Sequence, residues 1–397
     1  MSYNNIMDYT KETSEYLKSV DIAYRKKMGQ YFTKKYVRDI LFDNLPIDKT
    51  HINYKVCELN CGTGEFILSF QTAFNTPEIY AYDTDNNMVN ICKETYKNIK
   101  ESECINSLLL DKKEYFDYTI GNPPYFEFTP DKTTREKFKD VICGRVNIYS
   151  LFIKKSIDVT KKEGYIALVV PPSMNNGSYF RKLREYIVKT CDIVFLKVLN
   201  PNEFDDASQT VQILILKKTT NSGRYVFKRN GITIFTEDVK EIEKLYEGAI
   251  SLKDAGFEVA TGNVVWNQNK NILSDDASDV TLIWAHNIQD KLTLNNNTKR
   301  KQYIKVNSFN TSPCIVVNRI TGCGKNAKLR CCLVSDIKYV TENHVNVITC
   351  GDKCRLSLQW LLKQLSSPKN LKAIKHITGN TQLSKTELLN LFPIYIE

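Results

Sequence analysis

A short apolar run, a Gly-x-Gly turn and a helical pattern follow one another in Val56-Cys57-Glu58-Leu59-Asn60-Cys61-Gly62-Thr63-Gly64-Glu65-Phe66. This order constrains the fold more than any other feature of the chain. Glycines at such a turn permit positive φ and let the backbone come close to a ligand. The third glycine of the dinucleotide fingerprint is missing, so the turn alone carries little weight. Its neighbours add to it. Ile79-Tyr80-Ala81-Tyr82-Asp83 reads as the next strand, ending in a carboxylate about 20 residues on, where doubly wound folds set an acid against a ribose diol. Leu108-Leu109-Leu110-Asp111 reads as a third strand closing on an acid, and the fourth, Phe116 to Gly121, delivers Asn122. Polar groups at the C-terminal ends of consecutive strands predict an open α/β sheet with its ligand at that edge.

The fourth strand exits into Asn122-Pro123-Pro124-Tyr125. Proline fixes its own φ and pushes the preceding residue towards extended geometry, so the Asn122 amide and the Pro123 carbonyl are held stiffly. Two acceptors beside an aromatic face suit a planar target with an exocyclic NH2. A plain structural turn can also read Asn-Pro-Pro, but here the tetrapeptide shares its sheet edge with the glycine turn.

These segments, in this order, resemble the gamma class of S-adenosylmethionine-dependent adenine-N6 DNA methyltransferases of type II restriction-modification systems. The match runs through Gly29-Gln30-Tyr31-Phe32-Thr33, Glu58 to Phe66, Asp83, Asp111 and Asn122 to Tyr125. It continues through Asn147 to Phe152 and Gly164 to Pro171 to Phe204. The family pattern often has proline where Lys34 and Leu59 stand. The resemblance implies a Rossmann-like methyltransferase domain with a C-terminal mixed α+β target-recognition domain. It implies S-adenosylmethionine as cofactor, held by Tyr31, Phe32, Thr33, Glu58, Asn60, Gly62, Gly64, Asp83, Asp111 and Asn122. It assigns catalysis to Asn122, Pro123, Pro124 and Tyr125, and stacking on a flipped adenine to Tyr125 and Phe204. The same tetrapeptide serves RNA adenine and protein-glutamine methyltransferases, which remain the alternatives, together with a non-catalytic DNA-binding specificity protein.

A chain of 397 residues has room for two domains. The expected division is a helical segment over 1–27, a catalytic domain over 28–240 and a target-recognition domain over 241–397. The net charge of +10 suits double-stranded DNA as partner, since phosphate neutralisation supplies much of the sequence-independent affinity for it. A separately encoded cognate restriction endonuclease is a further expected partner. No apolar run approaches the roughly 20 residues of a membrane span, and the N-terminus lacks the regions of a signal peptide. A cytoplasmic protein of bacterial or viral origin is expected. The 12 cysteines include no Cys-x-x-Cys pair, so they read as small buried hydrophobes and no metal is predicted.

Beyond about residue 240 the strand–helix alternation gives way to short strands rich in Asn and Lys. Asn295 to Lys301 is a basic loop that suits a solvated linker or a phosphate contact. Arg319 ends a strand-like run and suits guanine in a groove or a phosphate oxygen. Asn343 and His344 suit base contact or a turn.

Overall fold

The computed structural model describes residues 8–199, 210–294, 300–319, 329–370 and 383–396. The chain divides into two compact units. The first takes 1–175, 179–226 and 235–237, and the second takes 176–178, 227–234 and 238–397.

In the first unit the described chain opens with two short helices, α1 (Lys11–Ser19) and α2 (Ile22–Met28), followed by α3 (Lys35–Asn44). Strand β1 (Lys55–Glu58), α4 (Glu65–Ala73), β2 (Glu78–Asp83), α5 (Asn86–Thr95) and β3 (Ile99–Cys104) alternate in sequence. Next come β4 (Phe116–Gly121), α6 (Ile148–Val159), β5 (Thr160–Val170), α7 (Arg181–Thr190), β6 (Asp192–Val198) and β7 (Gln212–Lys217). The seven strands form one sheet in the order β3-β2-β1-β4-β5-β7-β6. β3, β2, β1, β4 and β5 run parallel, and β7 is antiparallel to both of its neighbours.

Because side chains on a strand point alternately to opposite faces, an apolar sheet covered on both sides needs two cores. Cys57, Tyr80, Tyr82, Ile166, Leu168, Leu214 and Leu216 build one of them. Val56, Ile79, Ala81, Ala167, Val169, Ile213 and Ile215 build the other. The chain leaves β1 on one side and comes back to β4 on the other, which opens a crevice at the C-terminal ends of these two strands.

One expected strand is absent. Ser107–Leu109 forms a single 3-10 turn, and the third strand is Ile99–Cys104. That strand lies at the edge of the sheet with half-exposed, charged side chains, so it lacks the apolar run used to find strands. The Leu108 to Leu110 run is instead apolar because Leu108 and Leu110 enter the core below the turn. Asp111 is therefore exposed and ends no strand.

The second unit is α+β. One four-stranded antiparallel sheet runs Phe257–Thr261, Val345–Cys350, Cys314–Asn318, Cys331–Val334, packed with Leu358–Leu365 and Lys385–Leu391 around a core that includes Phe257, Ile315, Leu361 and Leu388. A second four-stranded sheet runs Leu273–Ser274, Tyr303–Ile304, Val280–Ile283, Tyr339–Thr341. Among the described residues no helix is long and apolar enough to cross a membrane.

Candidate active site

An open cleft of about 700 Å³, solvent included, lies at the ends of β1, β2 and β4. Its lining includes Gln30, Tyr31, Phe32, Thr33, Glu58, Asn60, Gly62, Glu65, Asp83, Asp85 and Asn122.

The glycine turn forms the floor. Gly62 has φ 50 and Gly64 has φ 90, values that a Cβ disfavours. A Cβ on Gly64 would lie 2.2 Å from the Tyr96 ring, so this glycine is required by packing as well as by φ. Asp83 fastens the turn to β2. Its carboxylate accepts the Gly62 and Asp85 amide protons, each at 3.0 Å. Burial raises the Asp83 pKa, and those backbone donors oppose the rise. Asp85 caps α5, accepting from the Asn87 amide at 2.9 Å, and also accepts from the Gln30 side chain at 3.3 Å.

Glu58, the last residue of β1, is 2% exposed, and its Oε2 has no hydrogen-bond partner among the described residues. Desolvation holds its carboxyl well above the usual carboxylate range, with Cys92 and Asp83 adding to the rise. A buried acceptor facing a cleft without a donor calls for a cationic or N–H-bearing ligand.

The Asn122–Tyr125 tetrapeptide follows β4. The Asn122 amide donates to the Tyr31 carbonyl and to the Thr33 hydroxyl, both at 3.0 Å. The Tyr125 hydroxyl meets Asn122 Oδ1 and donates to the Val169 carbonyl at 2.6 Å. Both donor positions of the amide are thus occupied, and Oδ1, which meets the Tyr125 hydroxyl, keeps a second lone pair as acceptor. The Tyr125 ring lies nearly parallel to Tyr31, with centroids 6.1 Å apart, and edge-on to Tyr149 at 6.0 Å.

Tyr31, Phe32, Thr33, Glu58, Asn60, Gly62, Asp83 and Asn122 are brought together around this cleft with Pro124, while Gly64 and Tyr125 stand directly behind it. Asp111 is not among the lining residues; Asn106 follows β3, and its side chain accepts the Leu108 amide proton at 3.2 Å. Phe204 and most of the Asn295 to Lys301 loop lie outside the described residues. In the second unit Arg319 donates to the Asn343 carbonyl at 2.8 Å, and His344 Nδ1 lies 2.5 Å from the buried Glu342.

Sequence patterns missed the clasp behind the turn. Glu65, the first residue of α4, forms a buried ion pair with Arg38 of α3. It also accepts from the Thr10 amide at 2.8 Å and the Thr10 hydroxyl at 3.1 Å, while the Thr13 and Thr63 hydroxyls meet at 2.6 Å. Gln30 accepts from the Tyr16 hydroxyl at 2.8 Å. These partners are separated by up to 55 residues, beyond the reach of local periodicity. Asp85 did leave a trace, as a second acid two positions after Asp83.

The sheet order, the acid-bearing ends of β1 and β2 and the Asn-Pro-Pro-Tyr exit of β4 define the fold of a class I S-adenosylmethionine-dependent methyltransferase. Residues 17–204 match the family described as Eco57I restriction-modification methylase. The chain is 28% identical over 290 residues to the modification methylase CviBIII of Paramecium bursaria Chlorella virus NC1A, covering 72% of this chain and 75% of the relative. It is 25% identical over 389 residues to the type II methyltransferase M.CvrRI of Paramecium bursaria Chlorella virus XZ-6E, covering 95% and 97%. Among solved structures, the type IIG restriction endonuclease BpuSI aligns with a TM-score of 0.42 and 12% identity, over 95% of this chain and 58% of that one.

The cofactor is S-adenosylmethionine, and the residues present fit it. Glu58 Oε2, without a partner among the described residues, suits an ammonium group, Asp83 and Asp85 supply acceptors for hydroxyls, and the Gly62 backbone leaves room for close approach.

Proposed function

We propose that this chain transfers a methyl group to the exocyclic N6 of adenine in duplex DNA, as the modification enzyme of a restriction-modification pair. The observation that carries this reading is the Asn122 amide, which lines the cofactor cleft with its N–H groups held by Tyr31 and Thr33 and its Oδ1 beside the Tyr125 hydroxyl. The amino nitrogen of adenine is a poor nucleophile because its lone pair is delocalised into the ring. With Asn122 Oδ1 and the Pro123 carbonyl accepting its two hydrogens, that nitrogen moves towards sp3 geometry and its lone pair turns to the methyl donor. S-adenosylmethionine, when bound, would supply the methyl group from its sulfonium, the C–S bond breaking to a neutral thioether as the N–C bond forms and the proton displaced from N6 passing to solvent. The chain's own contribution is positioning and polarisation by fixed dipoles.

The target base must leave the duplex, at a cost of a few kcal/mol in stacking and pairing. Tyr125 offers it an aromatic neighbour while its hydroxyl stays tied to Val169. Recognition of the flanking sequence falls to the second unit, and a separately encoded endonuclease is the matching partner. The test is incubation with plasmid DNA and labelled S-adenosylmethionine, followed by mapping of modified bases at single-molecule level. N6-methyladenine at one recurring sequence is expected. Asn122→Ala should bind cofactor like the parent while single-turnover transfer falls about 100- to 1,000-fold. Label in cytosine, or only in RNA or protein, overturns the reading.

A further inference from the structure

The second unit carries a ladder of aromatic rings and cations that the methyl-transfer site does not use. Trp266 is 38% exposed, and its ring lies 6.4 Å from that of Trp284, which in turn lies 6.0 Å from His286. Trp284 is buried, and its indole N–H donates to the Lys301 carbonyl at 2.9 Å, so it forms a fixed floor. Two exposed cations stand over these rings. Lys270 Nζ is 5.4 Å from the Trp266 ring centre, and the Arg300 guanidinium carbon is 5.1 Å from that of Trp284.

The second unit is basic as a whole: residues 238–397 hold 21 Lys and Arg against 15 Asp and Glu. Asp275, Asp276 and Asp279 follow Lys270 in sequence, whereas residues 291–386, which include Arg300, hold 17 Lys and Arg against 3 Asp and Glu. An exposed indole beside Lys270, with Arg300 over the adjoining ring, in a unit of net positive charge suits a polyanion that also offers flat or apolar faces, which describes a nucleic acid. Arg319, by contrast, donates from its guanidinium to the backbone carbonyl of Asn343.

We propose that Trp266, Lys270 and Arg300, on the floor made by Trp284 and His286, form a DNA-contacting surface of the second unit. Trp266 packs against a base or sugar, and the two cations take backbone phosphates. This inference rests on the proposed DNA substrate.

The test uses the full chain and a short fluorescent duplex carrying the mapped methylation site. The triple variant Trp266→Ala, Lys270→Ala, Arg300→Ala should bind about tenfold more weakly or worse, with unchanged cofactor affinity. Its log K against log salt should flatten by about 2, at roughly 0.9 per phosphate contact. Trp266→Phe should restore most of the loss due to Trp266→Ala. Should the triple variant fail to fold, Lys270→Gln with Arg300→Gln still reads the salt slope. Lys244→Ala with Lys253→Ala, which removes two exposed cations elsewhere in the same unit, is the control and should bind like the parent. Parental binding by the triple variant, or an equal loss in the control, overturns the proposal. If the parent methylates DNA adenine while the triple variant binds normally, only this surface falls. If the parent binds DNA through this patch yet methylates no adenine, the proposed function falls and the surface stands.

Discussion

Replacing Glu58 by glutamine separates what this carboxyl costs the fold from what it gives the cofactor. Glu58 is 2% exposed, and a Cβ on Gly121 would lie 3.3 Å from its Cγ, so the side chain has little room to swing away. Its folded pKa is raised by burial and by the neighbouring Cys92 and Asp83. A raised folded pKa means that the group's contribution to stability is intact below the unfolded pKa and is lost as pH rises through the folded one. At neutral pH the cofactor-free protein therefore carries a penalty that Glu58→Gln removes. A higher melting temperature at neutral pH is expected for the variant. The gain should shrink towards zero as pH falls to about 4, where unfolded carboxyls are themselves protonated. Cofactor binding should respond in the opposite direction. Loss of a charge-assisted hydrogen bond to an ammonium group amounts to about 1.5 to 3 kcal/mol, or roughly 10- to 150-fold in Kd. Thermal melting of the cofactor-free protein across pH, with calorimetric titration of S-adenosylmethionine, measures both. A glutamine variant that binds as tightly as the parent, or melts no higher at neutral pH, refutes the reasoning.

Two further substitutions probe the turn and its clasp. Gly64→Ala should cost about 2 to 4 kcal/mol, because it combines a left-handed backbone with a clash against the Tyr96 ring, and a parental urea midpoint would refute it. Arg38→Met leaves the buried Glu65 carboxylate without its cation and should lower stability by about 3 to 5 kcal/mol. Adding Glu65→Gln should recover part of that loss, and simple additivity of the two changes in denaturant melts would argue against the pair.

The parallel sheet and its ligand edge were legible because β1, β2 and β4 are central strands, where continuous apolar residues meet punctuation by glycine, acid or Asn-Pro-Pro. The third strand was not. As an edge strand, Ile99–Cys104 has little burial to advertise, while a three-leucine run plugging a turn imitates a strand in so short a window. The same limit applies to the site. Glu58, Asp83 and Asn122 stand at strand ends, where position follows from local pattern. Glu65 and Arg38 matter through a pairing across 27 residues, which only the folded chain displays. In the second unit, Trp266 and Trp284 come together across a 3-10 turn and a sheet, with no periodicity linking them.

The anchorage of α1 has a thermodynamic corollary. The helix is held at Thr10 and Thr13 by Glu65 and Thr63, and at Tyr16 by Gln30. Glu65 and Gln30 also line the cofactor cleft, and Thr63 sits between the two glycines of the turn. A ligand that steadies the turn thereby steadies the helix, and by reciprocity a firmly seated helix tightens the ligand. Substitutions along the inner side of α1 will accordingly behave as affinity mutations, although none of the residues altered touches the cofactor.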